Sequence, residues 1–373
     1  MEQNNELRVV EFFGGISAAR KALIRQKIPH KIVDYVEIDE SAVKSYNAMY
    51  DENFKPQDIT KWNKDLDNID LMVHGSPCQS ISTAGKQEGA NEGSGTRSSL
   101  MYESLRVIDK VRPKCVVWEN VANLASKKHK HNLDKYLAVM SELGYTSSYK
   151  ILNAKDYGIP QDRNRIFVVS IFGDKRFEFP PKEELKKSYK DFLEPNYDVD
   201  KYVLGENHIR RVKGTETYDK EYSFGGKVVE GDIFPTITRC YGRASGNCGS
   251  IRCKEGYRAL TIRERWRLMG FDDEDFDKAS QVNSDTQLKY QAGNSIVVNV
   301  LEAIFNSLFK ENTYKYRQYK QNEIIDNTVR ALLQIKNIDN TGTAKVEFWT
   351  PNCSFFLTVD NTGGAVTNVK NKE

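Results

Sequence analysis

Leu7-Arg8-Val9-Val10-Glu11-Phe12-Phe13, then Gly14-Gly15-Ile16-Ser17, then Ala18-Ala19-Arg20-Lys21-Ala22-Leu23-Ile24 is a β-type run that passes through a glycine turn into a helical pattern. That is how a nucleotide-binding βαβ unit opens. The glycines let backbone approach a ligand, and the helix N-terminus offers unpaired amide groups. The three spaced glycines of the dinucleotide fingerprint are absent, so a plain strand–helix turn is the competing reading. A second strand, Lys31-Ile32-Val33-Asp34-Tyr35-Val36, runs into Glu37-Ile38-Asp39. It ends about twenty residues after the glycine turn, the spacing at which a carboxylate accepts from ribose hydroxyls. An acid at a helix N-terminus would give the same pattern. Asp58, after another short connection, is either an acceptor for an adenine amino group or a solvated loop acid.

The next apolar run, Ile69-Asp70-Leu71-Met72-Val73-His74, reads as a short buried strand that breaks into Gly75-Ser76-Pro77-Cys78-Gln79-Ser80. Proline fixes its own φ and holds the preceding residue extended, so Cys78 is presented on a stiff turn. A nucleophilic thiol needs such a mounting, and an incidental free cysteine fits it equally well. A polar loop follows, with Ser82 near its start and glycines at 85, 89, 93 and 95, the composition of a lid or of a floppy insertion. Pro113-Lys114-Cys115-Val116-Val117-Trp118-Glu119-Asn120-Val121 is a strand with a carboxylate at its exit. Strand exits on one edge of a doubly wound sheet converge, so Glu119 and Cys78 are candidates to face each other. A carboxyl in such a cleft can hold a proton and donate it; a helix-cap acid is the plainer alternative. Strand patterns at 146–152 and 165–171 flank Gln161-Asp162-Arg163-Asn164-Arg165. Arg163 and Arg165 alternate at strand spacing and are expected to point one way, toward a phosphate or carboxylate or simply into solvent.

With 373 residues, 39% hydrophobic and 29% charged, the chain has a globular composition and length for two or three domains. No apolar run is expected to span a membrane, and the polar Met1-Glu2-Gln3-Asn4-Asn5-Glu6 lacks the order of a signal peptide. The expectation is a cytosolic protein. Six cysteines, at 78, 115, 240, 248, 253 and 353, have no framework spacing and are read as free thiols. Fifty-five basic and 52 acidic residues leave a net charge of +3, so any nucleic-acid footprint has to be local.

From Pro180 to about Tyr257 the sequence turns polar and loses helical period. Pro235-Thr236-Ile237-Thr238-Arg239-Cys240-Tyr241-Gly242-Arg243, with Arg252, Lys254 and Arg258 beyond, interleaves basic residues with tyrosines, as a phosphate-backbone reader does. Cys240, Cys248, Cys253 and His208 contain no CxxC pair, so no metal is expected. Thr261 and Glu264 form a capping box that opens a helix, and Gly270 stops it. In Gln291-Ala292-Gly293-Asn294-Ser295 a turn starts an apolar helix to about Phe309, expected to pack on the sheet of the first half. The tail from about Thr313 holds β-like runs, Lys345–Trp349 and Phe355–Val359, divided by Asp-Asn-Thr repeats and read as strands joined by Asx turns.

Taken together and in order, these groups resemble the motifs of the DNA (cytosine-5) methyltransferase family over about residues 7–310. The carriers are Phe13-Gly14-Gly15, Glu37, Asp58, Gly75-Ser76-Pro77-Cys78-Gln79, Glu119-Asn120-Val121 and Gln161-Asp162-Arg163-Asn164-Arg165. Arg258-Ala259-Leu260-Thr261-Ile262-Arg263-Glu264 and Gln291-Ala292-Gly293-Asn294-Ser295 complete the set. The resemblance implies an α/β fold, a doubly wound Rossmann-like sheet that binds S-adenosylmethionine, formed by residues 1–179 and 284–312. It places a smaller target-recognition domain at 180–283, where the composition breaks, and leaves 313–373 as an extension of unknown role.

Residue by residue, the resemblance implies that Phe13, Gly15 and Ile16 line the adenine pocket, Glu37 holds the ribose, and Asp58 takes the adenine amino group. Ile38 and Ile59 would cover the faces of the base. Pro77, Leu100, Asn294, Ser295 and Ile296 would hold the methionine end. Cys78 is the implied nucleophile, with Glu119, Arg163 and Arg165 holding the cytosine and its phosphate. Contact with duplex DNA falls to Ser82, Gln161, Thr238, Arg239, Tyr241 and Arg243. Ser17, Ala18 and Ala19 stand where the family usually has further glycines, and binding is expected to survive because they are small. The implied enzyme is a monomer that acts on C5 of cytosine in DNA, with a cognate restriction endonuclease as a companion. A tRNA methyltransferase of the same fold is the rival, although its Cys-Phe-Thr signature is replaced here by Arg239-Cys240-Tyr241. A non-catalytic DNA-binding relative is the other, disfavoured by the presence of Cys78, Glu119 and both arginines.

Overall fold

The computed structural model describes residues 6–77, 100–204, 228–239 and 249–310, together with three strands of the C-terminal segment. Contacts divide the chain into two compact units, Met1–Glu311 and Asn312–Glu373. A six-stranded sheet forms the centre of the first. Its strands are β1 (Leu7–Phe12), β2 (His30–Val36), β3 (Leu71–His74), β4 (Cys115–Val121), β5 (Tyr145–Asn153) and, after the two-residue β6 (Gln161–Asp162) that lies outside it, β7 (Asn164–Phe172). The order is β2-β1-β3-β4-β7-β5. The first four strands are parallel, and β7 runs antiparallel to both its neighbours.

Alternation along the strands decides which layer each residue joins. Val9, Val73, Val117 and Val169 face one core, and Val10, Met72, Val116 and Val168 face the other, as a period-two pleat requires. The first core takes residues of α1 (Ala18–Arg25) and α2 (Glu40–Tyr50); the second takes α3 (Met101–Val111) and α4 (Lys130–Glu142). Burial on both faces is why these strands read as near-continuous apolar runs.

The strand order reverses between β1 and β3, because the chain steps from β1 out to β2 and then returns past β1 to β3 and β4. In an open parallel sheet the ligand crevice lies at the carboxyl ends of the strands at such a reversal. Gly75 N donates to Phe12 O at 3.3 Å there, so the glycine turn after β1 and the proline turn after β3 meet.

Among the described residues, five helices follow the sheet: α5 (Val199–Tyr202), α6 (Ile262–Arg267), α7 (Asp273–Ser280), α8 (Asp285–Asn294) and α9 (Val298–Phe305). Both capping-box bonds are present at α6: Glu264 N donates to Thr261 Oγ1 at 3.1 Å and Thr261 N donates to Glu264 Oε2 at 2.8 Å. The Gly-Asn-Ser sequence was expected to be a turn, but Gly293 and Asn294 close α8, and Ser295–Val297 make the connection to α9. Val298, Leu301, Ile304 and Phe305 pack into the first core, as expected. The segment Asp285–Phe309 is long and apolar enough to cross a membrane by length and composition. Ser295 and Val297 interrupt it in extended conformation, and 56% of its most apolar window is buried inside the protein.

Residues 180–283 were expected to form a smaller domain. Among the described residues, Tyr189, Phe234, Ile237 and Ile251 belong to the same buried cluster as Val9 and Val117. The end of that range is tied to the first two helices: Lys21 Nζ lies 2.7 Å from Asp275 Oδ2, and Asn283 Nδ2 donates to Ser41 O at 2.8 Å. The strand β8 (Phe234–Pro235) pairs in parallel with β6, and β9 (Ile251–Cys253) forms a hairpin with β10 (Gly256–Arg258). The second unit contains an antiparallel meander of β11 (Thr343–Trp349), β12 (Cys353–Asp360) and β13 (Ala365–Asn371), and β11 and β12 contain the two runs read as strands.

Candidate active site

The turn after β1 is built from left-handed backbone. Phe13, Gly15 and Ser17 have φ of 54°, 54° and 52°, a conformation that side chains with a Cβ adopt only where the surroundings hold them. Gly14 lies against the buried Tyr35 ring, which a Cβ would meet at 2.6 Å. Ser17 takes the place of a family glycine with a hydroxyl that is fully used. Its Oγ accepts from Arg20 N at 3.0 Å, capping α1, and donates to the Glu11 carboxyl, 2.8 and 2.6 Å from its two oxygens. Glu11 is buried on β1, and burial pushes its carboxyl up to about 7.

Glu37 sits across this turn. Its Oε2 accepts from Gly15 N at 3.0 Å and its Oε1 from Asp39 N at 2.9 Å. Burial holds its carboxyl above the usual range. Gln57 N donates to Glu37 O at 2.8 Å, which sets the Asp58 loop beside Glu37. Asp58 caps a short 3-10 turn, accepting from Thr60 N at 3.0 Å and Thr60 Oγ1 at 2.8 Å, and these bonds lower its pKa. Ile38 is 66% exposed beside them, an open apolar face. Ile16 and Ile59, expected in the pocket, are 1% and 5% exposed, and each packs into a core of the sheet. They support the crevice from beneath.

The turn after β3 is pinned to β4. Trp118 Nε1 donates to Ser76 Oγ at 3.0 Å, and Asn120 Nδ2 donates to Ser76 O and Oγ, each at 3.2 Å. These bonds bring Gly75 to Glu119: a Cβ on Gly75 would lie 3.8 Å from Glu119 Oε2 and 4.0 Å from Ile296 Cδ1. Arg165, cross-strand from Val121 on β7, places its Nε 3.1 Å from Glu119 Oε1. Burial raises the Glu119 pKa, and Arg165 and Arg163 pull it part of the way back. Pro77 ends the described part of this turn. Cys78 and Ser82 lie outside the described residues, as do Tyr241 and Arg243.

Arg163 and Arg165 both line one cavity and differ in their partners. Arg163 N donates to Gln161 O at 3.0 Å, which tightens the chain between β6 and β7. Arg163 turns inward at 3% exposure and donates to three backbone carbonyls, those of Ile237, Gly293 and Ser295. Gln161, expected at DNA, is fully buried, and its amide joins Leu268 O and Ile237 N at 2.8 and 3.0 Å. A cavity beside the two arginines is walled by Leu152, Phe167, Ile296 and Val300. Asn294 is exposed, Ser295 Oγ donates to Ile296 O at 3.1 Å, and Leu100 stands at the N-terminus of α3. Thr238 and Arg239 lie against Gly293.

Sequence reasoning passed over Ser76, Trp118 and Tyr35, whose roles rest on partners far along the chain. Tyr35 donates its hydroxyl proton to Gly15 O and holds the glycine turn down. His74 stacks on Trp118 at 5.6 Å with its Nε2 3.0 Å from the Tyr136 hydroxyl, and burial pushes it down to about 3, so it is a neutral floor to the site.

Over residues 7–310 the chain matches the C-5 cytosine-specific DNA methylases. It belongs to that family. The methyltransferase is similar to type II methyltransferase M2.ScrFI of Lactococcus lactis subsp. cremoris, 36% identical over 361 residues that cover 82% of this chain and 99% of the relative. Type II methyltransferase M.HhaI of Haemophilus parahaemolyticus is 31% identical and covers 84% of this chain and 98% of its own length. Among solved structures, S. pombe Dnmt2 methyltransferase shares the fold with a TM-score of 0.65 at 23% identity, covering 82% of this chain and 99% of that one. The Entamoeba histolytica methyltransferase EhMeth does so at 0.65 and 17% identity, covering 82% and 98%. The enzyme is therefore a DNA (cytosine-5)-methyltransferase. Its Glu119–Arg165 pair, Pro77 turn and Ile296 occupy one side of the crevice, and Phe13, Gly15, Glu37, Ile38 and Asp58 occupy the other.

Proposed function

We propose that this methyltransferase modifies C5 of a cytosine that is flipped out of a specific short duplex sequence, through a covalent bond between Cys78 and C6. The observation that carries the reading is the half-buried Glu119–Arg165 pair, held beside the turn that leads into Cys78. Cytosine C5 is a weak nucleophile. When the Cys78 thiolate adds to C6, the π electrons of the C5–C6 bond move toward N3, and a proton from Glu119 meets the charge that develops there. Arg165 keeps the carboxyl oriented and neutralises it once the proton has gone. C5 then carries the electron pair needed to take a methyl group. Loss of H5 to a base restores the double bond and expels the thiolate. A stacked base offers no such approach, so the target is extruded from the duplex.

S-adenosylmethionine fits the opposite side of the crevice and supplies a methyl group on a sulfonium when bound. Each Glu37 oxygen accepts one backbone N–H at 2.9–3.0 Å, and a carboxylate with about four acceptor sites has room for two ribose hydroxyls as well. Ile38 offers its exposed face to the base, Asp58 an acceptor, Phe13 and Gly15 the wall, and Asn294, Ser295 and Leu100 the far end. Ser17, Ala18 and Ala19 leave that fit intact, because Ser17 turns its hydroxyl to Glu11 and the two alanines are buried. The two sequence relatives named above are type II methyltransferases, which supports an enzyme that protects DNA beside a restriction endonuclease.

Tritiated S-adenosylmethionine, offered with duplex DNA and separately with tRNA, tests this. Label is expected in DNA. Label in tRNA alone overturns the DNA reading, and label in neither leaves a binding protein. Cys78→Ser is expected to abolish both transfer and trapping on 5-fluorocytosine duplex; an adduct that persists in the variant means another nucleophile.

A further inference from the structure

The inward turn of Arg163 gives it a task that the spacing of the two arginines does not show. Nη1 donates to Ile237 O at 2.7 Å, and Nη2 donates to Gly293 O at 3.2 Å and Ser295 O at 2.7 Å. Ile237 lies in the segment after β8, in the region proposed to read DNA. Gly293 and Ser295 flank Asn294 in the segment proposed to hold the methionine end of the donor. We propose that Arg163 is a positioning residue that joins these two segments into one rigid joint, so that target DNA and methyl donor bind interdependently. This rests on the methyltransferase reading above.

The joint is continuous. Thr236 Oγ1 donates to Asp162 O at 2.6 Å, and Ile237 N donates to Gln161 Oε1 at 3.0 Å. A Cβ on Gly293 would stand 2.2 Å from Arg239 N and 2.4 Å from Thr238 C, so those two residues lie directly on the end of α8. Arg239 Cζ is 5.4 Å from the Tyr290 ring of the same helix. Every residue from Thr236 to Arg239 thus touches either the β6–β7 connection or α8. A buried guanidinium is tolerated only when its donors are satisfied. The carbonyl of Gly293, in the last turn of α8, carries the partial negative charge of a helix C-terminus. Arginine's planar fork spans two segments at once; a lysine keeps the charge at a single point and cannot.

A ligand that shifts either segment must move the same guanidinium. Whichever ligand orders the joint first spares the second that ordering, and linkage makes the effect reciprocal. The test measures the affinity of the full-length protein for its target duplex, found by bisulfite sequencing of DNA from an expressing host, with and without saturating S-adenosylhomocysteine. In the wild type the two affinities are expected to differ by about 5- to 150-fold, the ordinary span of such coupling. In Arg163→Lys the ratio is expected to fall toward one while each ligand alone still binds. Arg112→Lys, a surface change at the end of α3 outside the joint and the site, keeps the wild-type ratio. A wild-type ratio in folded Arg163→Lys overturns the proposal, and so does a ratio of one in the wild type. If Arg163→Lys does not fold, Thr236→Val decides: it removes one hydroxyl bond from the joint, and an unchanged ratio overturns the proposal. A wild type that binds neither duplex nor S-adenosylhomocysteine sinks the methyltransferase reading instead.

Discussion

Glu119, half-buried, and Glu11, fully buried, are two carboxyls with opposite surroundings. Glu119 has a guanidinium within 3.1 Å and remains raised by burial all the same. A carboxyl whose pKa is raised keeps its proton to higher pH than a free one and can donate it, and the protonated form falls away as pH rises through that raised pKa. Glu119→Gln keeps the shape and loses the proton. It is expected to lower kcat by about 10²- to 10⁴-fold and to remove the alkaline fall of the kcat profile, with duplex affinity nearly unchanged. A profile that keeps this fall in the variant assigns it to another group. Among the described residues Glu11 has the Ser17 hydroxyl as its hydrogen-bond partner and the Arg20 charge nearby; burial outweighs both, and its carboxyl rises from 4.5 to about 7 in the folded chain. Between those values the folded state binds a proton that the unfolded state has released. The stabilising contribution is therefore full below pH 4.5 and is lost as pH rises through 7. Glu11→Gln accepts the same serine bond without titrating. Melting curves of the variant between pH 5 and 8 are expected to be flatter than those of the wild type, and parallel curves refute the assignment.

The close packing of α8 on the segment after β8 depends on one missing side chain. Gly293→Ala would put a Cβ 2.2 Å from Arg239 N, and the atoms it meets are all backbone. One element has to shift, at about 1–3 kcal/mol for an overpacked contact of this kind. Melting of the variant is expected several degrees below wild type, and an unchanged midpoint means that the two elements are not in contact. The elements themselves were legible wherever burial is two-sided. Val9 to Phe12, Leu71 to His74 and Cys115 to Trp118 announce β1, β3 and β4 because both faces of each strand are apolar. The capping box at Thr261 was legible because both of its bonds lie within four residues. Glu119 was legible as a strand-exit acid. Arg163 was not separable from Arg165, because the carbonyls that hold it, those of Ile237, Gly293 and Ser295, lie 74, 130 and 132 positions away. Ser76 and Tyr35 were silent for the same reason: their partners are set by the fold and not by the local pattern.

At the scale of the whole chain, family and structure agree on where the enzyme ends. The family match stops at residue 310, and the contact boundary lies between Glu311 and Asn312. The crevice, the joint and both hydrophobic cores draw all their described residues from the first unit. The meander β11-β12-β13 is a sheet of its own that takes no strand from the first unit. A sheet that satisfies its own ladder and a core that closes without it need not share a folding transition. A chain ending at Glu311 is therefore expected to melt in one transition within a few degrees of the main transition of the full protein. It should also incorporate label from tritiated S-adenosylmethionine into duplex DNA at a rate within about threefold, a change in ΔG‡ of well under 1 kcal/mol, since every described residue of the crevice belongs to the first unit. Loss of activity with the melting transition preserved would place a residue of 312–373 at the DNA. Loss of the transition itself would mean that the second unit completes the fold of the first.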